Sequence, residues 1–298
     1  MHGGSLTELI RLKRVSLRAC PGKRKSPAQA HFRASRPAAR PREGRVLALP
    51  GHVGEAIIHG SDEHGWEDSM AIAANVEEVR GRIARACDRV FRDAEEVTLV
   101  AVTKTVGADA VVEAIEAGIA AVGENRVQEA AKKFTEDLPP VEKHLVGHLQ
   151  RNKVRKALEL FDMIESVDSV RLAREISTVC AASGREVDVL VEVNTSGEES
   201  KYGLEPGEAV EAVVEMADLG GLRIRGLMTV GAFLPDPEDV RPCFRALRAI
   251  RDEIEERIIP GVSMDHLSMG MTNDFEVAIE EGATIVRVGR AIFGERAA

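Results

Sequence analysis

The chain has 298 residues, 3% of them aromatic, with a single tyrosine and a formal net charge of −9. The charge is uneven: residues 1–45 hold 12 Lys and Arg against 2 Glu, a net +10, so the rest of the chain carries −19. A body that acidic argues against nucleic acid as the main partner, because phosphate backbones require a basic surface. The four cysteines (Cys20, Cys87, Cys180, Cys243) are far apart with no C-x-x-C pair, which excludes an obvious zinc or redox motif and suits a reducing cytoplasm. No run of 18 apolar residues is present, so no membrane span is expected.

Residues 1–45 are rich in Arg, Pro, Ala and Ser, and residues 51–68 are mostly Gly, His, Asp and Glu. Neither stretch can bury enough apolar surface to offset chain entropy, so a disordered basic and polar extension is expected over residues 1–69. Three readings fit it: a basic arm for nucleic acid or membrane, an Arg-rich organellar transit peptide, or a non-functional extension from a start placed too far upstream. The last is favoured, because Met70 stands immediately before the first periodic segment.

From Ala71 onward, Ile72, Val76, Val79, Ile83, Ala86, Val90 and Phe91 recur mostly at three- and four-residue steps, which predicts an amphipathic helix. Strand-like runs then alternate with helical ones. Strands are predicted over residues 99–104, 120–123, 144–147, 163–166, 187–194, 223–229, 266–269 and 284–289. Helices are predicted over 108–116, 127–134, 151–160, 169–183, 206–219, 239–256 and 274–280. Gly118, Gly184, Gly220 and Gly282 each follow a helical run and can take a left-handed cap. Eight short buried strands with intervening helices imply a parallel sheet. The expected fold class is α/β, a single (β/α)8 TIM barrel with a leading helix, filling residues 70–298. An open doubly wound sheet is the alternative, disfavoured because no G-x-G-x-x-G follows the first strand.

The active face of such a barrel is built from the loops that follow the strands, and polar and glycine residues collect there. Lys104 closes the first apolar, β-branched strand. An ammonium at that position is poorly solvated, loses its proton more readily than a surface lysine, and as a neutral amine forms a Schiff base with a carbonyl. The plain alternative is a lysine that ends a strand and reaches water. Ser268-Met-Gly270 and Val288-Gly-Arg290 close the last two strands. They offer a hydroxyl and backbone N–H groups where this fold usually binds phosphate, although each alone could be an ordinary glycine turn. Together with Lys104 they point to a ligand with an aldehyde at one end and a phosphate at the other, a description that pyridoxal 5′-phosphate fits. Arg287, between Val286 and Val288, could face the barrel and then needs an acceptor. One candidate is the pyridine nitrogen of that ligand, which a permanently protonated guanidinium leaves unprotonated; the other is a carboxylate such as Glu192.

The segments Leu99-Val-Ala-Val-Thr-Lys104, Gly123-Glu-Asn-Arg-Val-Gln-Glu129, His144-Leu-Val-Gly-His-Leu-Gln-Arg-Asn-Lys153, Asn194-Thr-Ser-Gly-Glu-Glu-Ser-Lys-Tyr-Gly203, Gly226-Leu-Met-Thr229, Leu267-Ser-Met-Gly-Met-Thr-Asn-Asp274 and Val286-Arg-Val-Gly-Arg-Ala-Ile-Phe-Gly294 resemble, in order, those of the pyridoxal phosphate homeostasis proteins. The resemblance runs from about residue 70 to 296 and does not cover the extension. It implies a barrel of the alanine racemase N-terminal type, with Lys104 holding the cofactor as a Schiff base. It also implies Ser268 and the Gly289-Arg290 turn as the phosphate grip, Arg287 as the partner of the pyridine nitrogen, and Asn125 as a contact near the ring hydroxyl. Some relatives have threonine at the position of Arg290, so a hydroxyl contact to phosphate is not carried over there. His144, Gln150, Asn152 and Lys153 match a family motif with no role derived from it; a helix start or surface is their ordinary reading.

Related racemases carry a second, β-rich domain that supplies a tyrosine acid/base. Here the chain stops just after the eighth strand, and Tyr202 lies in a polar loop. The expectation is therefore a cytoplasmic, non-enzymatic protein of vitamin B6 homeostasis, with no catalytic or metal-ligating residues. It would hold pyridoxal 5′-phosphate and release it to apo-enzymes, without nucleic-acid or membrane partners. The alternatives are a weak fold-type III racemase or lyase using the same lysine, a cofactor-free Schiff-base aldolase, and nucleic-acid binding through the basic arm.

Overall fold

The three- and four-residue apolar spacing that begins the body forms α1 (Glu63–Arg89), whose Ile72, Val76, Val79 and Ile83 are buried along one stripe. The structure is a computed structural model that describes residues 63–294, with side chains from residue 71 onward. Residues 1–62 of the expected extension, Cys20 among them, lie outside the described residues, as does the side chain of Trp66.

Strands and helices then alternate: β1 (Thr98–Val102), α2 (Ala108–Glu116), β2 (Ala121–Glu124), α3 (Val127–Lys133), β3 (Glu142–Leu145), α4 (Val154–Leu160), β4 (Met163–Val167), α5 (Val170–Ser183), β5 (Val187–Glu192), α6 (Ala209–Ala217), β6 (Leu222–Met228), α7 (Arg241–Glu256), β7 (Val262–Ser268), α8 (Phe275–Glu280), β8 (Ile285–Val288) and a closing turn of helix, α9 (Arg290–Phe293). The eight strands are all parallel, each pairs with its neighbour in sequence, and β8 pairs with β1, so the sheet is a closed barrel. All eight expected strands are present, within a few residues of the expected limits. α7 shows why the helices lie outside: Phe244, Leu247, Ile250 and Ile254 are buried at helical spacing, while Arg and Glu residues fill the opposite face.

Two core clusters separate cleanly. The larger lies between sheet and helices. The smaller takes one residue each from six strands, Val100, Ala121, Met163, Leu190, Met228 and Ile285, and is the apolar filling of the barrel itself. Because side chains alternate along a strand, these residues mark which side chains of those six strands face inward.

Three expected details differ. The first strand leaves the sheet at Val102, and Lys104 lies in the turn that follows it, because Thr105 adopts φ 65° and turns the chain. The fifth strand stops at Glu192 because Asn194 N–H turns to Leu204 O (2.9 Å). The left-handed glycine after α6 is Gly221 (φ 85°), not Gly220, and a Cβ on it would stand 2.5 Å from Cys180 Cβ.

The barrel is bent by register shifts in β4–β5, β5–β6 and β6–β7. Gly226 sits at the last of these with φ 154°, and a Cβ there would lie 1.9 Å from His266 O. The Gly226→Ala substitution is expected to destabilise the chain by at least about 2 kcal/mol through backbone displacement. Urea unfolding measures this, and an unchanged midpoint would contradict the strand contact.

Candidate functional site

The C-terminal rim of the barrel is assembled from four neighbouring strands. Lys104 is half-buried in a turn closed by Val106 N–H to Thr103 O (3.0 Å). The backbone beneath it is clamped. Lys133 Nζ, on α3, donates to Thr103 O (2.6 Å) and to Glu124 Oε1 (2.5 Å), and Thr103 Oγ1 donates to the same carboxylate (2.8 Å). Glu124 is fully buried, so this pair is shielded from water and fixes the attachment point of Lys104. Asn125 directly follows β2, the strand paired with β1 up to Val102↔Gly123. Gly147 explains how the next loop reaches Asn125: a Cβ there would stand 2.4 Å from Asn125 O.

On the other side of Lys104, the end of β8 lies against the end of β1, since a Cβ on Gly289 would stand 3.2 Å from Val102 O. Arg290 is exposed and opens α9, where the first N–H groups have no helical acceptor. The turn after β7 is tied to β8 by Arg287 N–H to Gly270 O (3.0 Å).

Below this rim the barrel is polar. Arg287, 5% exposed, donates from Nη1 to Ser268 Oγ and from Nη2 to Thr229 O (2.7 Å). Ser268 Oγ donates in turn to Glu165 Oε2 (2.5 Å), which lies 3.7 Å from Arg287 Nη1. The single hydroxyl proton of Ser268 is thus committed to Glu165. The carboxylate nearest Arg287 is Glu165 of β4; the expected alternative, Glu192, is not its ion-pair partner. His144 Nδ1 donates to Glu165 Oε1 (2.6 Å), and its Nε2, buried and without an aligned acceptor, lies 3.2 Å from Glu142 Oε1.

The electrostatics follow from these contacts. Burial by itself lowers the pKa of His144, but the Glu142 and Glu165 carboxylates outweigh it and raise the value to about 9. Burial raises that of Glu165, yet the His144 hydrogen bond and charge, with Arg287 and Ser268 behind them, hold it below the usual carboxylate range. Glu192 is 6% exposed and its Oε2 has no hydrogen-bond partner among the described residues. Burial, then repulsion from Asp168, pushes its pKa up to about 7. His144 and Glu165 were not assigned roles from the sequence. The available signal was an acid in the wholly buried strand Met163–Val167, at the parity that faces inward.

The predicted residues divide into two sets. Asn125, Lys104, Gly289 and Arg290 share the rim on β2, β1 and β8, and Ser268 and Arg287 lie deeper on β7 and β8. Gln150 and Asn152 are exposed and Lys153 is half-buried at the start of α4. Outside both sets, Tyr202, 57% exposed, stacks on His148 with ring centroids 3.8 Å apart, and His148 Nδ1 bonds Asp168 Oδ2 (2.7 Å). An amine, an amide, a glycine turn at a helix start and a buried guanidinium fit a small ligand bearing an aldehyde, a hydroxyl, a phosphate and a ring acceptor. Among the described residues, no three His, Cys, Asp or Glu are grouped to hold a metal, and no helix is long and apolar enough to cross a membrane.

Comparison with known proteins gives a consistent result. Residues 68–297 match the family model described as alanine racemase, N-terminal domain. A pyridoxal phosphate homeostasis protein of Aquifex aeolicus is 43% identical over 229 residues, 76% of this chain and 99% of the relative. The protein of the same name from Escherichia coli K12 is 40% identical over 76% of this chain and 97% of the relative. Among solved structures, PipY of Synechococcus elongatus, with PLP bound, is 34% identical with a TM-score of 0.66, covering 75% of this chain and all of that one.

The orphan carboxyl of Glu192 has a measurable consequence. Its folded pKa, about 7, stands above the ordinary glutamate value of 4.5, so the folded state binds the proton more tightly. Stability therefore falls as pH rises between these values, and the cost persists above them. Glu192→Gln, an isostere of the neutral acid, is expected to stabilise the chain at about pH 8 by on the order of 2–3 kcal/mol and to change little at about pH 4.5. Urea unfolding at both pH values tests this; equal effects at the two would show that the carboxyl is not held in that environment.

Proposed function

Because this chain belongs to the pyridoxal phosphate homeostasis protein family, we propose that it binds pyridoxal 5′-phosphate through a reversible covalent link to Lys104 and releases it to apo-enzymes. The observation that carries this reading is the mounting of Lys104: half-buried, on a turn clamped by the Lys133–Glu124 pair, after a strand that pairs with β2, which leads into Asn125, and with β8, which leads into the Gly289 turn. The cofactor brings an aldehyde that condenses with an amine with loss of water, and a phosphate dianion. Lys104 supplies the amine. Asn125 is the contact near the ring hydroxyl. Gly289 and Arg290 grip the phosphate. Ser268, expected to share that grip, has its hydroxyl proton committed to Glu165 and instead holds Arg287, which faces the pyridine nitrogen. A guanidinium keeps its own proton, so the ring nitrogen stays unprotonated and the ring is a weak electron sink. That favours storage over carbanion chemistry.

Release requires water or an incoming amine to reach the link, and the half-exposed position of Lys104 at the rim suits that exchange. Residues 70–298 are taken as the binding unit, and the protein as cytoplasmic, in keeping with free, buried Cys87, Cys180 and Cys243. Neither nucleic acid nor membrane is a partner in this reading. A weak amino-acid racemase or lyase is the second reading, favoured by the His148–Asp168–Tyr202 group on the loops after β3, β4 and β5.

Borohydride reduction of the loaded chain followed by peptide mapping is expected to find the phosphopyridoxyl group on Lys104. Lys104→Ala is expected to lose the yellow chromophore, and a chain beginning at Met70 to keep it. Deuterium exchange at Cα of added amino acids should be far below ordinary enzymatic rates; rapid exchange would replace the carrier reading with the racemase one.

A further inference from the structure

Facing a ring nitrogen demands more of Arg287 than charge. Its guanidinium must be held in one orientation, and a long side chain loses considerable freedom when so held. The barrel contains the means. Nη2 is bound to Thr229 O (2.7 Å), and Nη1 to Ser268 Oγ with Glu165 Oε2 behind it at 3.7 Å. Glu165 is fully buried and is fixed from its other oxygen by His144 Nδ1 at 2.6 Å. We propose that Glu165 and His144 are positioning residues for the cofactor site, acting through Ser268 to fix the Arg287 guanidinium against the pyridine nitrogen. The inference rests on the cofactor reading above.

A purely structural origin explains this chain of contacts poorly. Buried ion networks are weak stabilisers compared with apolar residues of the same volume, and the rest of the barrel interior has such a filling in Val100, Ala121, Met163, Leu190, Met228 and Ile285. The chain of contacts also orders the charges: His144 lies between Glu142 and Glu165, and Glu165 lies between His144 and Arg287. That order makes sense if Arg287 must stay directed at a neutral acceptor while its charge is compensated from behind.

The groups that face Glu165 define what happens when it is altered. They are His144 and Glu142 from β3, Glu192 from β5, Ser268 from β7 and Arg287 from β8, while His266 of β7 acts on His144 and Glu142. The remaining strands contribute Val100, Ala121 and Met228, which carry no charge. Without the Glu165 charge, the carboxyls left to draw the guanidinium are Glu192 and Asp274, both under its electrostatic influence. The ring nitrogen then loses its partner and becomes free to titrate.

The test uses the full chain loaded with pyridoxal 5′-phosphate carrying ¹⁵N in the ring. In wild type the nitrogen resonance is expected at an unprotonated, hydrogen-bonded position that does not move between about pH 6 and about pH 8. Glu165→Gln is expected to introduce a titration step in that range and to weaken the cofactor Kd about tenfold or more. His144→Gln keeps a donor but removes the charge that holds Glu165 ionised, so it is expected to show the same step displaced to lower pH. This second variant serves if Glu165→Gln fails to fold. Should either folded variant retain the immobile wild-type resonance and show only a lower melting temperature, the positioning role is wrong and the chain of contacts is packing. A wild-type chain that takes up no cofactor would overturn both this inference and the reading beneath it.

Discussion

Closing eight parallel strands into a barrel forces alternate side chains of every strand into one dry interior, and every polar group that enters it needs a partner there. In this chain the interior sets apolar residues, among them Val100, Met163, Met228 and Ile285, beside the polar Glu165, Ser268, Arg287, His144 and Glu192, with Val100 paired to Arg287 and Met228 to both Glu192 and Ser268. Glu165, Ser268 and Arg287 satisfy one another, and His144 bonds Glu165 through Nδ1 but leaves Nε2 without an aligned acceptor. Glu192 also keeps an oxygen without a partner among the described residues and relieves its position by holding its proton. The charge state of the interior is thus set by geometry rather than by composition, and it makes the β8 side of the mouth cationic while the β4 and β5 side carries Asp168 and the neutral-leaning Glu192.

The rim inherits its precision from the layer outside the sheet. Lys104 is not held by strand pairing, since β1 has already ended. It is held because α3 reaches back across the sheet end with Lys133 to a buried carboxylate and to the carbonyl one residue before the lysine. An ion pair of this kind, desolvated and sharing three hydrogen bonds, differs from the surface pairs elsewhere on the molecule, which contribute little. The result is an amine on a fixed anchor at a half-exposed rim.

Arg287 links the two levels. Its backbone N–H joins the β7 turn at the rim, and its side chain runs into the buried network. Ser268 is the joint between them, with its proton on Glu165 and its oxygen receiving Arg287. The turn after β7, the Arg287 side chain and the buried acid therefore form one connected unit, and a change in the deep layer reaches the rim through it.

What the sequence by itself determined is local and periodic. The alternation of apolar runs, the helix spacings and the strand-end glycines located all eight strands and brought Lys104, Asn125, Gly289 and Arg290 to one rim, because each of these depends on a few neighbouring residues. Only the tertiary structure decided which inward residues share a level. That depends on the stagger of the strands and on the register shifts between β4 and β7, which no periodicity encodes. Hence Arg287 met Glu165 rather than Glu192, Ser268 became a link between buried charges, and a histidine from a motif without a derived role became the second cation of the barrel.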